Sequence, residues 1–113
     1  MTQRDDRIYL FHVLEAIERI ERHMLGRGYQ DLLDDELLED AVVRQLMIIG
    51  EAIRNISAET KDTHPHVPWR DIVATRNRVV HLYFEVDIGV VWSIVSRDLQ
   101  PLKRDIRRIL DEQ

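Results

Sequence analysis

Apolar residues recur at helical spacing along four stretches of this chain. Over residues 5 to about 24, Ile8, Phe11, Leu14, Ile17 and Ile20 return every three residues with charges between them, which predicts an amphipathic helix facing a core. Asp5 or Asp6 is its expected cap, and Gly26 with Gly28 its stop. A connector over 26–35 carries Tyr29, Leu32 and Leu33, whose side chains are expected to pin it to the bundle. Asp34 or Asp35 then starts a long second helix to about residue 59, with Leu38, Val42, Leu46, Ile49, Ile53 and Ile56 inward. Met47, Ile48 and Ala52 widen its apolar face around Gly50, a width that predicts contact on two sides, with the bundle and with a second subunit.

After a polar connector over 61–67, Pro68 is placed to be the first helical residue of a third stretch, 69–83. Its apolar stripe runs through Trp69, Ile72, Val73, Val80 and Tyr83. Residues 84–87 break the pattern, and Asp87 is the expected N-cap of a last helix carrying Val90, Ile94, Leu99, Leu102, Ile106 and Ile109. Pro101 should kink that helix, because its ring clashes with the preceding turn. Few glycines and prolines, no repeats and no linker make this one all-α domain over 1–113. The simplest architecture is an antiparallel four-helix bundle with room for an extra short helix.

Composition narrows the function classes. The chain has no cysteine, which removes disulfides and thiolate metal sites. With no secretory apolar run after Met1, the expectation is a cytoplasmic protein with no membrane segment. A formal charge of −5 argues against a sequence-blind nucleic-acid binder. The charge is uneven, with acids crowding 31–40 and Arg97, Lys103, Arg104, Arg107 and Arg108 near the end. His64 and His66 flank Pro65, which biases the backbone toward an extended turn, and no cysteine joins them, so no metal or other cofactor is expected.

Two charges stand inside apolar stripes. Arg76 shares its face with Ile72, Val73, Val80 and Tyr83, and a guanidinium taken out of water costs several kcal/mol unless a carboxylate, a phosphate or trapped water receives its donors. Glu51 is the other. It either partners Arg76 or points to solvent and pairs locally with Arg54 or Asn55. On a continuous helix His81 lies about 140° round from Arg76 and aligns with Asn77, so a two-fold dimer crossing is one way to assemble the set from both chains. Arginine and histidine together suit phosphodiester chemistry on RNA, with a 2′-hydroxyl as nucleophile, histidine moving protons and arginine stabilising the developing charge. Such a site needs no metal and spares DNA, which lacks the hydroxyl. The competing reading is purely structural: Arg76 paired with Glu51, His81 capping terminal carbonyls and Tyr83 at the core edge.

The run R-N-R-V-V-H-L-Y, 76–83, resembles the Arg-x4-His-x-Tyr motif of the HEPN superfamily, and within it the HepT-like toxins of type VII HepT/MntA toxin–antitoxin systems. IIGEAIRNIS at 48–57, VPWRDIVATRN at 67–77 and VDIGVVWSIV at 86–95 extend the similarity over nearly the whole chain. The resemblance implies a homodimer whose motif helices line a shared cleft, and metal-independent RNA cleavage by Arg76 and His81 with support from Asn77. It also implies an antitoxin, an MntA-like minimal nucleotidyltransferase, that transfers AMP from ATP to Tyr83. The alternative is a non-catalytic helical subunit that docks such a nucleotidyltransferase.

Overall fold

A computed structural model describes the backbone of residues 3–81 and 85–112, and the side chains of residues 5–74 and 86–112. Helix α1 spans Gln3–His23, α2 Tyr29–Asp34, α3 Glu36–Asn55, α4 Ala58–Thr63 and α5 Trp69–Val79. A two-residue strand β1 (Val80–His81) pairs antiparallel with β2 (Glu85–Val86). Helix α6 (Ile88–Ser93) runs through a π-helical turn (Ile94–Asp98) into α7 (Leu99–Glu112). The fold is all-α and HEPN-like, and its core lies where α1, α3, α5 and α7 meet. No helix among the described residues is long and apolar enough to cross a membrane.

The buried face of α1 differs from the expected one. Leu10, Val13, Ile17, Ile20 and Met24 face the core, while Ile8 and Phe11 are about half exposed. The reason is geometric. Residues every three positions rotate by about 60° per step on a helix, so five of them cannot share one face, whereas spacings of four, three, four, three and four keep a line. That line begins at Asp6, which is 1% exposed. Asp6 therefore does not cap its own helix. Its carboxylate accepts from the Ser57 amide at 2.9 Å, the Ser57 hydroxyl at 2.6 Å and the Thr60 hydroxyl.

Those bonds explain why the second helix stops early. It ends at Asn55, Ile56 is extended, and Ser57 caps the separate helix α4 by accepting from the Thr60 amide at 3.2 Å. The inward residues Leu38, Val42, Leu46, Ile49, Ile53 and Ile56 are all buried as expected. Asp35 is the N-cap of α3, accepting from the Leu38 amide at 3.1 Å. Gly26 follows α1 with φ of +73°, a left-handed turn residue that glycine adopts without Cβ strain. In the connector only Leu32 is pinned, since it is fully buried while Tyr29 and Leu33 are exposed.

Helices α1 and α7 run antiparallel, stitched by three polar links in reverse order. Arg7 donates to the Leu110 carbonyl at 3.1 Å, Arg107 pairs with Glu18 at 3.4 Å, and Lys103 pairs with Glu21 at 2.7 Å. Gln100 adds a bond to Glu21. The break expected at Pro101 is a widened turn just upstream, where the Leu99 amide reaches the Ile94 carbonyl five residues back. Proline has no N–H to give and its ring crowds the carbonyl four residues earlier, and a π-helical turn makes room for it.

Burial opposes ionisation of Asp6, but the hydroxyl and amide bonds from Ser57 and Thr60 outweigh it and hold its pKa below the ordinary 3.8. A depressed pKa means stability that is complete above the ordinary value and lost as the pH falls through the folded one. Asp6→Ala leaves three buried donors unpaired and should cost about 2–4 kcal/mol in urea denaturation at pH 7. Asp6→Asn should also flatten the acid limb of the stability curve below pH 3.8.

Candidate functional site

The site is organised by α5, and the sequence around its start explains its aim. Pro68 sits one residue ahead of the helix rather than inside it, and its carbonyl accepts the first helical bond from the Ile72 amide at 3.0 Å. Trp69 is buried and its indole N–H donates to the His64 carbonyl at 3.0 Å. The Trp69 amide reaches the Val67 carbonyl at 2.8 Å, so the first turn is tied to the preceding loop at two points. Ile72 and Val73 are half-buried, and Ile72 opens onto a cavity of about 310 Å³ between α3, α5 and the π-turn, one helical turn before Arg76.

Arg76 and Asn77 occupy the last turn of α5, and the helix ends at Val79. The expected helix through Tyr83 is therefore too long. Val80 and His81 are extended, with Val80 opposite Val86 and His81 opposite Glu85. Two adjacent β-branched residues, Val79 and Val80, favour the change from helical to extended backbone, and the ladder to Glu85 and Val86 satisfies the amides that leave the helix. His81 is consequently not locked about 140° from Arg76, because that figure holds only for an unbroken helix. The side chains of Arg76, Asn77 and His81, and all of Tyr83, lie outside the described residues.

Beyond the ladder, Asp87 caps α6 as expected by accepting from the Val90 amide at 3.0 Å. Short-range hydrogen bonds thus set the start of α5 before the motif and the start of α6 after it. Glu51 takes the local option: its carboxylate pairs with Arg54 at 3.6 Å, both side chains more than half exposed, and its carbonyl accepts from the Asn55 amide group at 2.8 Å.

Sequence reading missed the histidine clamp behind α5. His64 places Nδ1 2.9 Å from the Thr60 carbonyl and Nε2 2.9 Å from a Glu112 carboxylate oxygen. Both partners are acceptors, so the imidazolium form, in which both ring nitrogens donate, is the one this arrangement favours. His66 Nε2 lies 3.7 Å from an Asp105 carboxylate oxygen, a second polar contact between the same loop and α7. Among the described residues no group of three or more histidines and acids has the geometry to hold a metal ion.

A helical bundle carrying Arg-x4-His-x-Tyr across the end of one helix is of the HEPN class. The profile of the family described as "Ribonuclease HepT-like" matches residues 13–109, and the chain belongs to that family. It is 38% identical over 107 residues to the "Probable ribonuclease HepT" of Thermococcus cleftensis, covering 95% of this chain and 97% of that protein. It is also 38% identical over 110 residues, 97% of its length, to a Methanocaldococcus jannaschii protein named "Gamma-glutamylcyclotransferase and putative RNase", of which it spans only 50%. No solved structure matches the chain.

Burial works against the His64 charge, but the Glu112 and Thr60 bonds prevail and raise its pKa above the ordinary 6.5. A raised pKa gives stability that is full below that value and is lost as the pH climbs through the folded-state pKa. The melting temperature should accordingly fall as pH rises from 6.5, with Glu112→Gln showing a smaller fall and an NMR titration placing His64 above 6.5. Glu51→Ala, by contrast, should change stability by less than about 0.5 kcal/mol, as is usual for an exposed pair.

Proposed function

We propose that residues 1–113 form one HEPN-like domain that cleaves RNA without a metal and serves as the toxin of a toxin–antitoxin pair in the cytoplasm. The observation that carries this reading is the intact Arg-x4-His-x-Tyr run inside a chain matched to the HepT-like family over 13–109. The name of the Thermococcus relative supports the activity, since it is called a ribonuclease.

Arg76 binds the scissile phosphate with its planar fork and stabilises the charge that develops on it. His81 exchanges the protons: the 2′-oxygen bonds to phosphorus as its proton leaves, and the 5′-oxygen departs and takes one up. Asn77 orients the arginine or the phosphate. A homodimer brings two copies of the motif segment to one cleft, and the half-buried Met47 and Ile48 on the outer side of α3 are the kind of surface that a second subunit covers.

Regulation falls to Tyr83. A minimal nucleotidyltransferase antitoxin transfers AMP from ATP to its phenol oxygen, releasing pyrophosphate, and the added bulk and negative charge keep RNA phosphates out. DNA is not a substrate, because it offers no 2′-hydroxyl.

Purified protein should cut RNA equally well with and without EDTA, and His81→Ala should lower the rate by about 10²–10⁴-fold. Equal cleavage by His81→Ala refutes the mechanism, and full loss in EDTA refutes its metal independence. Incubation with the nucleotidyltransferase and ATP should add AMP masses that Tyr83→Phe abolishes; an adduct on another residue refutes the Tyr83 assignment.

A further inference from the structure

One end of the bundle carries large apolar side chains that the described residues leave exposed in whole or in part. Leu25, in the turn after α1, is 83% exposed, and Leu37, in the first turn of α3, is 81% exposed. Between them Tyr29 and Leu33, at 41% and 46%, share one face of α2 at a four-residue spacing. The Arg27–Asp35 pair at 3.4 Å links the turn after α1 to the N-cap of α3, and α2 with Tyr29 and Leu33 lies between the two. Single exposed leucines are ordinary, but four large apolar residues within thirteen positions, two of them almost fully exposed, form a patch.

What surrounds the patch selects its occupant. Asp31, Asp34, Glu36, Glu39 and Asp40 stand among these residues, and Arg27, bound to Asp35, is the only ion-pair partner of this acidic stretch among the described residues. Burial pushes the Glu39 carboxyl above the ordinary range, and the neighbouring charges of Asp40 and Glu36 push it further. Mutual repulsion of this kind is relieved by cations from outside.

RNA and anionic lipid carry the wrong sign. A second copy placed face to face would set the same acids against each other. The chain's own basic helix, α7, turns Leu102, Ile106, Ile109 and Leu110 into the core, so α7 of a neighbouring copy offers arginines without an apolar ridge, and the half-exposed Ile8 and Phe11 of α1 share their face with the acidic Glu15. An occupant must bring both features together.

We infer that the Leu25, Tyr29, Leu33 and Leu37 surface is a docking site for a basic amphipathic helix of a partner protein, with apolar side chains at three- and four-residue spacing flanked by lysine or arginine. The site lies outside the Arg76–Tyr83 run and does not depend on that run being catalytic.

The test uses the full chain and two synthetic helical peptides of equal length, one built from Lys and Leu and one from Glu and Leu. Calorimetry at about physiological ionic strength should detect the Lys/Leu peptide alone. Amide NMR shifts should concentrate in residues 25–40 and at Trp92, whose ring lies 6.3 Å from that of Tyr29. Leu33→Glu with Leu37→Glu should weaken binding at least tenfold at unchanged melting temperature, and Glu36→Gln with Asp40→Asn should weaken it and lessen its salt dependence. Equal binding of both peptides, undiminished binding by the leucine variant, or shifts mapping elsewhere overturn the assignment. So does self-association of the free chain that the leucine substitutions abolish, because a second copy is then the occupant.

Discussion

The constraint on which the motif depends is where α5 stops. A continuous helix would fix His81 in rotation relative to Arg76, and the two would look in different directions for as long as the helix ran. Ending the helix at Val79 and turning Val80 and His81 into a short ladder removes that constraint. The backbone then carries arginine and asparagine on the last helical turn and histidine on an extended strand. Rigidity at the other end comes from Trp69 and the loop that His64 holds against α7. In the proposed mechanism this matters because proton transfer and phosphate binding tolerate little error in placement.

A second lesson concerns charges on apolar faces. Asp6 and Arg76 both interrupt stripes that otherwise point inward, and the physical cost of burying either is large. Asp6 meets that cost within the chain: two hydroxyls and an amide surround its carboxylate and join α1 to the α3–α4 corner. Glu51, the carboxylate that the sequence offers to Arg76, stays at the surface with Arg54. The proposed function assigns the guanidinium's donors to a phosphate. Selection for substrate binding then explains a residue that packing alone disfavours.

Much of the fold was legible because helices bury lines of residues. The α3 line from Leu38 to Ile56 followed a consistent four- and three-residue rhythm and came out fully buried. On α1 the strict three-residue repeat drifts around the helix, while the buried line through Asp6, Leu10, Val13 and Ile17 begins on a charge, which an apolar pattern does not mark. The stop after Asn55 had a signal in Ser57, followed by Thr60, which a capping search within an apolar run passes over. Asp35, Gly26 and Asp87 were readable because each does a job that few residue types can do. The His64–Glu112 contact joins positions far apart in sequence, and no local pattern announces it. At the site, the motif was visible as a spacing of residue types. The end of the helix within it was not, since propensity differences between neighbouring valines in helix and strand are small against the energy of a local ladder.

In the proposed mechanism a 2′-hydroxyl of RNA is the nucleophile, and protein side chains alone manage the charge and the protons. Mass spectrometry of the fragments from a short oligonucleotide of defined sequence tests this directly. Attack by the 2′-oxygen leaves a 2′,3′-cyclic phosphate on the upstream fragment and a 5′-hydroxyl on the downstream one, and a 2′-deoxy sugar at the scissile position should abolish cutting. Fragments ending in a 3′-hydroxyl and a 5′-phosphate, or unimpaired cutting next to the 2′-deoxy sugar, would contradict it.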